Sequence, residues 1–285
     1  MTFFTEPVEK TNTNAQSADT QRVKNAKEVS FPDSSVYSIH SKEKTLNKKD
    51  TAEKVVMVKD TGKCYIYLTL DDGPQLPGTL NCKNILQENN IKATFFMIGE
   101  HYFGKEKELL VSSIEHDPLF LVANHSNTHA FHNKYSYFYK CVDSSVLDFE
   151  KAEHTLNLKS KIARLPGRNT WMVNKQLKGE SSAFHVAKKL DSMGYSVYGW
   201  DIEWRFKNGD IPIESASQMI KVVENAMKNN RTHQHKSVVI LAHDRMFGKP
   251  QYADSLRKFI TALKKDDRYV FETLENYDSL VSANN

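Results

Sequence analysis

Two adjacent carboxylates, Asp71 and Asp72, follow the strand-forming run Tyr65–Leu70 and precede the turn Gly73-Pro74. Like charges at the end of a buried strand repel each other unless a positive group lies near. Several later stretches hold groups of that kind. His125 and His129 are four residues apart, a spacing that lets two imidazoles share one face of a helical turn and bind a metal. Arg164 opens the stretch Arg-Leu-Pro-Gly to Gly167 at a strand end, where a guanidinium fork can satisfy a buried carboxylate and the Pro-Gly turn exposes a backbone N–H. Gly199–Trp204 sets Asp201 and Glu203 among Trp200 and Trp204, acids able to orient a histidine and aromatics able to line a groove. His243 follows the apolar run Val238–Ala242, and burial with a nearby acid brings such a ring into the range useful for acid–base work. Each stretch alone also fits a structural role: solvated turn aspartates, a chance pair among 11 histidines with His132 close by, a surface arginine, core tryptophans, a satisfied strand-end histidine.

The elements that must position these groups alternate in type from Cys64 onward. Periodicity and turn residues place strands over Cys64–Leu70, Ala93–Ile98, Leu119–Ala123, Lys161–Leu165, Ser196–Trp200, Ser237–Leu241 and Tyr269–Glu272. Helices are expected over Thr79–Glu88, Lys105–Glu115, Ser144–Leu156, Ser182–Met193, Glu214–Lys228, Tyr252–Lys265 and Asn276–Val281. Strands alternating with helices of this length build βα units and a parallel sheet. The chemistry-bearing residues fall at C-terminal strand ends, where a parallel barrel gathers its functional groups. An open doubly wound sheet is the alternative, but no Gly-x-Gly-x-x-Gly follows the first strand, so a dinucleotide site has no support.

Residues 1–60 are rich in Thr, Asn, Ser, Asp, Lys and Gln and read as a tail or tether, with a short strand expected near Lys54–Val58. Residues 61–285 then form one catalytic-sized domain. The chain is 39% hydrophobic and 26% charged, ordinary for a globular protein, and its net charge of +4 is too small to argue a nucleic-acid partner. Cys64, Cys82 and Cys141 have no CxxC spacing, which argues against a disulfide scaffold or structural zinc site. No apolar run approaches the roughly 20 residues of a membrane span, and the first ten residues lack an export-type apolar core.

Taken in order, the chemistry-bearing stretches resemble the polysaccharide deacetylases with a NodB homology domain, carbohydrate esterase family 4. That family's motifs run approximately Thr-(Phe/Leu)-Asp-Asp-Gly-Pro, His-(Ser/Thr)-x-x-His, Arg-x-Pro-(Tyr/Phe)-Gly, Asp-x-x-Asp-Trp and Leu-x-His. The corresponding residues here are Thr69–Pro74, His125–His129, Arg164–Gly167, Asp201–Trp204 and Leu241–His243. The resemblance implies an α/β fold, a distorted (β/α) barrel of about seven parallel strands. It implies one divalent metal, Zn2+ first with Co2+ or Ni2+ as alternatives, on Asp72, His125 and His129. By the same resemblance Asp71 is the general base, Arg164 its partner, His243 the general acid, Leu241 a contact for the acetyl methyl, Gly167 an oxyanion donor and Trp204 part of the groove. The implied activity is metal-dependent removal of acetyl groups from N-acetylated amino sugars of a polysaccharide or peptidoglycan-type glycan. A deformylase or amide hydrolase on a lipid-linked sugar or small molecule is one alternative, and an inactive glycan-binding module another.

Two departures stand out. Gly167 followed by Arg168 replaces the usual aromatic after the motif proline, removing an aromatic wall and adding a cation. The fourth stretch is one residue short, leaving Asp201, Glu203 and Asp244 as candidates to orient His243, with Asp201 favoured because it directly follows the strand. Relatives of this kind act on envelope or extracellular glycans, so a periplasmic, secreted or envelope location is expected, with a cytoplasmic one left open because no export signal is visible.

Overall fold

The computed structural model describes Asp60 and residues 62–277. The expected tail, the strand near Lys54–Val58 and the end of the last helix beyond Tyr277 lie outside the described residues. In chain order the elements are β1 (Cys64–Gly73), α1 (Gly78–Glu88), β2 (Ala93–Met97), α2 (Lys105–Glu115), β3 (Phe120–Asn124), α3 (His129–Asn133), α4 (Tyr135–Phe138) and α5 (Val142–Leu156). They continue with β4 (Ile162–Ala163), β5 (Thr170–Val173), β6 (Gln176–Gly179), α6 (Phe184–Ser192), β7 (Ser196–Val197), β8 (Ile202–Glu203), β9 (Phe206–Lys207) and β10 (Ile211–Pro212). The last are α7 (Ala216–Lys228), β11 (Ser237–His243), α8 (Pro250–Lys264) and β12 (Tyr269–Phe271).

The sheet runs β6-β5-β7-β4-β3-β2-β1-β11-β8, with β12 paired to the start of β1. Its path from β7 to β8 is seven parallel strands, the distorted barrel that the alternation of strands and helices calls for. β1 is its axis because Tyr65–Leu70 are all buried and apolar or β-branched, and they match Ser237–Ala242 of β11 residue for residue. Helices α1, α2, α7 and α8 pack their apolar stripes over one face of the strands, through Leu86, Val111, Val223 and Phe259 among others.

The antiparallel hairpin β5–β6 was not expected. Its turn is Asn174-Lys175, with positive φ at both residues (49° and 63°). A two-residue turn of this hand favours Asn-Gly, and lysine in the second position hides the signal. β4, β7 and β8 are each two residues long, shorter than the apolar runs that mark them, because the barrel wall there is held by side chains as well as by ladder bonds. Asn169 bonds both the backbone N–H and the carbonyl of Trp200 (3.0 and 2.9 Å), and the Asp201 carboxylate accepts from the N–H of Val239 (2.7 Å).

Trp204 corrects an expectation. Its side chain is fully buried, packs against Phe247 (5.3 Å) and Phe259 (5.1 Å), and donates its indole N–H to the Glu214 carbonyl (2.8 Å). It belongs to the core beneath α7 and α8, not to a groove, because the chain turns inward after β8 to cover the apolar end of β11. Truncation of Trp204 to alanine is expected to cost about 3–5 kcal/mol of folding stability, read from urea unfolding midpoints. A loss below about 1 kcal/mol would remove it from the core.

Candidate active site

At the C-terminal ends of the parallel strands lies a cavity of about 530 Å³, lined by Asp71, Asp72, His125, His129, Leu241 and His243 among others. The central difficulty is how two consecutive residues of one strand face the same space, since side chains along a strand alternate sides. The pairing of β1 with β2 slips between Asp71 and Gly73, and Asp72 takes a left-handed conformation with φ 75°. This bulge turns the second carboxylate into the cavity beside the first.

Asp71 is answered by Arg164. The guanidinium is buried and lies 2.8 Å from Asp71 Oδ1 through Nη1. Its other donors reach Thr69 Oγ1 (2.5 Å), the Tyr198 carbonyl (3.2 Å) and the Gly199 carbonyl (2.8 Å), and its plane lies over the Phe96 ring at 4.3 Å. Burial lifts the Asp71 carboxyl to about 7, Arg164 opposing that rise and the neighbouring Asp72 adding to it. Asp72 is also buried, but its interactions with His243, His125, His129 and Arg245 outweigh burial and hold its carboxyl below the usual range.

His125, at the end of β3, and His129, at the start of α3, bring their Nε2 atoms to 3.5 and 3.3 Å from Asp72 Oδ1. Each ring is oriented through its other nitrogen: His125 Nδ1 donates to the Arg164 carbonyl (3.0 Å) and His129 Nδ1 to Asn133 Oδ1 (2.6 Å). Burial, reinforced by His129, pushes His125 well below the ordinary imidazole value, so the ring is neutral. The helical turn expected to join the pair does not form: residues 125–128 are a loop, and the turn that follows, His129–Asn133, is left-handed, with every φ between 48° and 66°. For L-residues this costs of order 1–2 kcal/mol each. It is offset by the hydroxyls of Ser126 and Thr128, which accept from the Ala130 and Phe131 N–H groups (3.3 and 2.8 Å), and by Asp148. The buried Asp148 carboxylate accepts from the N–H groups of Asn127 and Thr128 and from the Thr128 hydroxyl, each at 3.1 Å. No sequence signal marked Asp148, which lies mid-helix in α5.

Ligand atoms of Asp72, His125 and His129 lie within 4.8 Å of one another. Asp72 Oδ1 is buried without a hydrogen-bond partner, although two imidazole nitrogens point at it. A mixed carboxylate and neutral imidazole set with one orphaned oxygen fits a divalent ion such as Zn2+.

His243 lies across the cavity, its Nε2 3.9 Å from Asp72 Oδ2. Burial lowers it to about 4, with the Asp72 charge acting the other way. None of the acids considered for its orientation bonds it. Asp201 accepts from the N–H groups of His233 (2.5 Å) and Val239 (2.7 Å), and Asp244, lifted by burial to about 8, takes the Thr79 hydroxyl. Glu203 lines the cavity without an observed bond to the ring, His243 Nδ1 has no hydrogen-bond partner, and the Phe206 ring sits edge-on to the imidazole at 4.8 Å. Asp201 is therefore a clamp across the short strands, since its backbone partners lie closer than His243.

Gly167 reaches the cavity with φ +61°, and a Cβ there would meet the Tyr135 ring at 2.7 Å. Tyr135 thus occupies the space an aromatic after Pro166 would fill, and its hydroxyl donates to Asn133 Oδ1 (2.8 Å). Arg168 turns away from the cavity, with its guanidinium over Tyr135 and Tyr139 at 5.6 and 5.4 Å. Tyr135 and Arg245, whose Nη2 is 3.4 Å from Asp72 Oδ2, were missed from sequence. Arg245 stands two residues after His243 and was findable; Tyr135 carries no such mark.

Residues 58–176, which carry Asp71, Asp72, His125, His129 and Arg164, match the model of the family described as polysaccharide deacetylase. That stretch of the chain is similar to the polysaccharide deacetylase family. The chain is similar to the chitin disaccharide deacetylase of Vibrio alginolyticus, 25% identical over 307 residues, covering 75% of this chain and 71% of that one. It is 30% identical to the peptidoglycan-N-acetylglucosamine deacetylase of Bacillus cereus over 186 residues, 62% of this chain and 59% of that protein. Among solved structures, the catalytic domain of peptidoglycan N-acetylglucosamine deacetylase from Eubacterium rectale superposes with a TM-score of 0.56 at 23% identity, over 76% of this chain and 91% of that one. A likeness at that identity speaks to the fold alone.

The clamp role of Asp201 has a pH signature. Burial raises its carboxyl from 3.8 to about 6, so the folded state holds the proton more tightly than the unfolded chain. Its contribution is fully present below the unfolded value and is lost as pH rises through the folded one. Wild type should therefore lose on the order of 2 kcal/mol relative to Asp201→Asn between about pH 4 and pH 6. Urea midpoints of both proteins across that range check this, and parallel curves would refute it.

Proposed function

We propose that this chain is a metal-dependent hydrolase that removes the acetyl group from an N-acetylated amino sugar within a glycan. The observation that carries the reading is a single cavity holding a metal-type ligand set, a carboxylate paired with a buried arginine, and a histidine on the opposite rim. The relatives named for chitin disaccharide and peptidoglycan N-acetylglucosamine support the substrate class. Their names also support an envelope or extracellular site of action; no helix among the described residues is long and apolar enough to cross a membrane.

Asp72, His125 and His129 would hold the divalent ion, which supplies Lewis-acid charge that polarises the acyl carbonyl and acidifies water. Asp71 is the base. Arg164 holds its Oδ1, leaving Oδ2, 3.6 Å from His125 Nε2, to face the ligand set and take the proton of the attacking water. An acid lifted by burial to about 7 is matched to that task near neutral pH. His243, neutral in the free site, would take up a proton and pass it to the departing amine, so that the proton removed from water by Asp71 is balanced by the one the amine gains. Burial keeps the free ring neutral, and the Asp72 carboxylate across the cavity is the charge that favours its protonated form. Leu241 offers an apolar contact for the acetyl methyl, and the Gly167 N–H a donor for the developing oxyanion.

The test is acetate release from N-acetylglucosamine oligomers before and after chelation, with Zn2+, Co2+ or Ni2+ added back. Activity should vanish on metal removal and return on addition. Asp71→Asn is expected to lose about 10²–10⁴ of kcat while still binding one metal by elemental analysis. Turnover that survives complete metal removal, or an unimpaired Asp71→Asn enzyme, would sink the mechanism.

A further inference from the structure

The two oxygens of Asp72 have different surroundings. Oδ1 faces the imidazole nitrogens of His125 and His129, at 3.5 and 3.3 Å. Oδ2 faces Arg245 Nη2 at 3.4 Å and His243 Nε2 at 3.9 Å. Arg245 stands in the turn after β11 and lines the active-site cavity. Its guanidinium lies over the Phe206 ring at 4.7 Å, and its Nε is buried without a hydrogen-bond partner. Among the described residues no other carboxylate pairs with its side chain. None of the roles of Asp71, His243 and the ligand set calls for a full cation at this point.

Two effects of such a cation compete. A guanidinium that hydrogen-bonds the far oxygen of a ligating carboxylate orients that ligand and strengthens the site. A guanidinium that acts through its charge draws on the carboxylate and repels a dication, which weakens the site. Geometry decides between them. At 3.4 Å the contact exceeds the roughly 2.7–3.2 Å of an N–H···O bond, so it orients poorly. Charge needs no such alignment, and a side chain 36% exposed is incompletely screened by salt. Against burial, and after His243, His125 and His129, Arg245 lowers the Asp72 carboxyl, so its charge is felt there. Arg164 already balances Asp71, and Arg245 balances Asp72, so these four groups offer a dication no net negative charge. Of the other acids on the cavity wall, Glu100 pairs with His132 (2.8 Å) and Glu203 lies on β8.

We infer that Arg245 sets the metal affinity of the site: its charge, held against Asp72 Oδ2, keeps a divalent ion weakly bound and exchangeable. Activity then follows the supply of ion around the protein. The inference rests on the reading of Asp72, His125 and His129 as the ligand set of the proposed deacetylase.

Zn2+ titration of the metal-stripped full chain at pH 7, in competition with a chromophoric chelator, tests this. Arg245→Gln should bind Zn2+ about tenfold tighter than wild type, and Arg245→Met, which keeps an unbranched stem without the charge, should match it. Arg245→Lys, which keeps the charge, should stay within about threefold of wild type. Thermal unfolding confirms that each variant folds. Equal or weaker Zn2+ binding by the two neutral variants overturns the role, as does a lysine variant that binds as tightly as they do. If the affinities shift as stated and no protein releases acetate from N-acetylglucosamine oligomers, the role of Arg245 stands and the deacetylase reading falls. If acetate release is metal-dependent while all four proteins bind Zn2+ alike, the reading stands and the role of Arg245 falls.

Discussion

The Arg164 guanidinium sits in the barrel with no exposed surface, and a charge so placed is tolerable only if every donor finds a partner. Its partners come from β1, through Thr69 and Asp71, and from the segment after β7, through the carbonyls of Tyr198 and Gly199. Its own carbonyl holds His125 at the end of β3. One buried cation thus ties the strand ends that carry the proposed base and a candidate metal ligand. Removing it would leave Asp71 as an uncompensated buried charge, a loss of roughly 3–5 kcal/mol in comparable pairs. The stability of the barrel mouth and the electrostatics of the site are here the same interaction.

Around that anchor the backbone is bent away from its preferred shapes. Asp72 at φ 75° and the left-handed turn from His129 to Asn133 are conformations that L-residues avoid. Both are imposed by neighbours with many bonds. The β1–β2 slip fixes the first, while Asp148, Ser126 and Thr128 fix the second. Asp72 and His129, two of the three side chains that meet at Asp72 Oδ1, are among the strained residues. A regular strand and a right-handed turn would aim the carboxylate and the second imidazole elsewhere.

The surface next to the site follows from a substitution of parts. With glycine at position 167, the wall of the cavity comes from a different segment, and Tyr135 does two jobs, closing the cavity and linking through Asn133 to His129. Tyr135 and Asn133 line both the cavity and a shallower concavity beside it.

Much of this was legible in the residues themselves. The parallel alternation, β1 as a buried strand and the placing of His125, Arg164 and His243 near strand ends follow from local pattern, because apolar periodicity marks where strands end, whereas the pairing of Arg164 with Asp71 and the grouping of Asp72 with His125 and His129 came from the resemblance. Other features had no local mark. The hairpin turn at Asn174-Lys175 takes a hand that lysine does not advertise, and Asp148 reads as any acid on an amphipathic helix. Trp204 and Trp200 look alike in sequence, yet one fills the core and the other lines the cavity. Asp201, next to a motif tryptophan, could face His243 or the backbone of β11, and only the path of the chain chose the backbone. The sequence by itself determined which residue types stand at the strand ends, since that depends on composition and period. The tertiary structure alone decided which way each side chain turns, because that depends on a slipped register, a reversed turn and neighbours far along the chain.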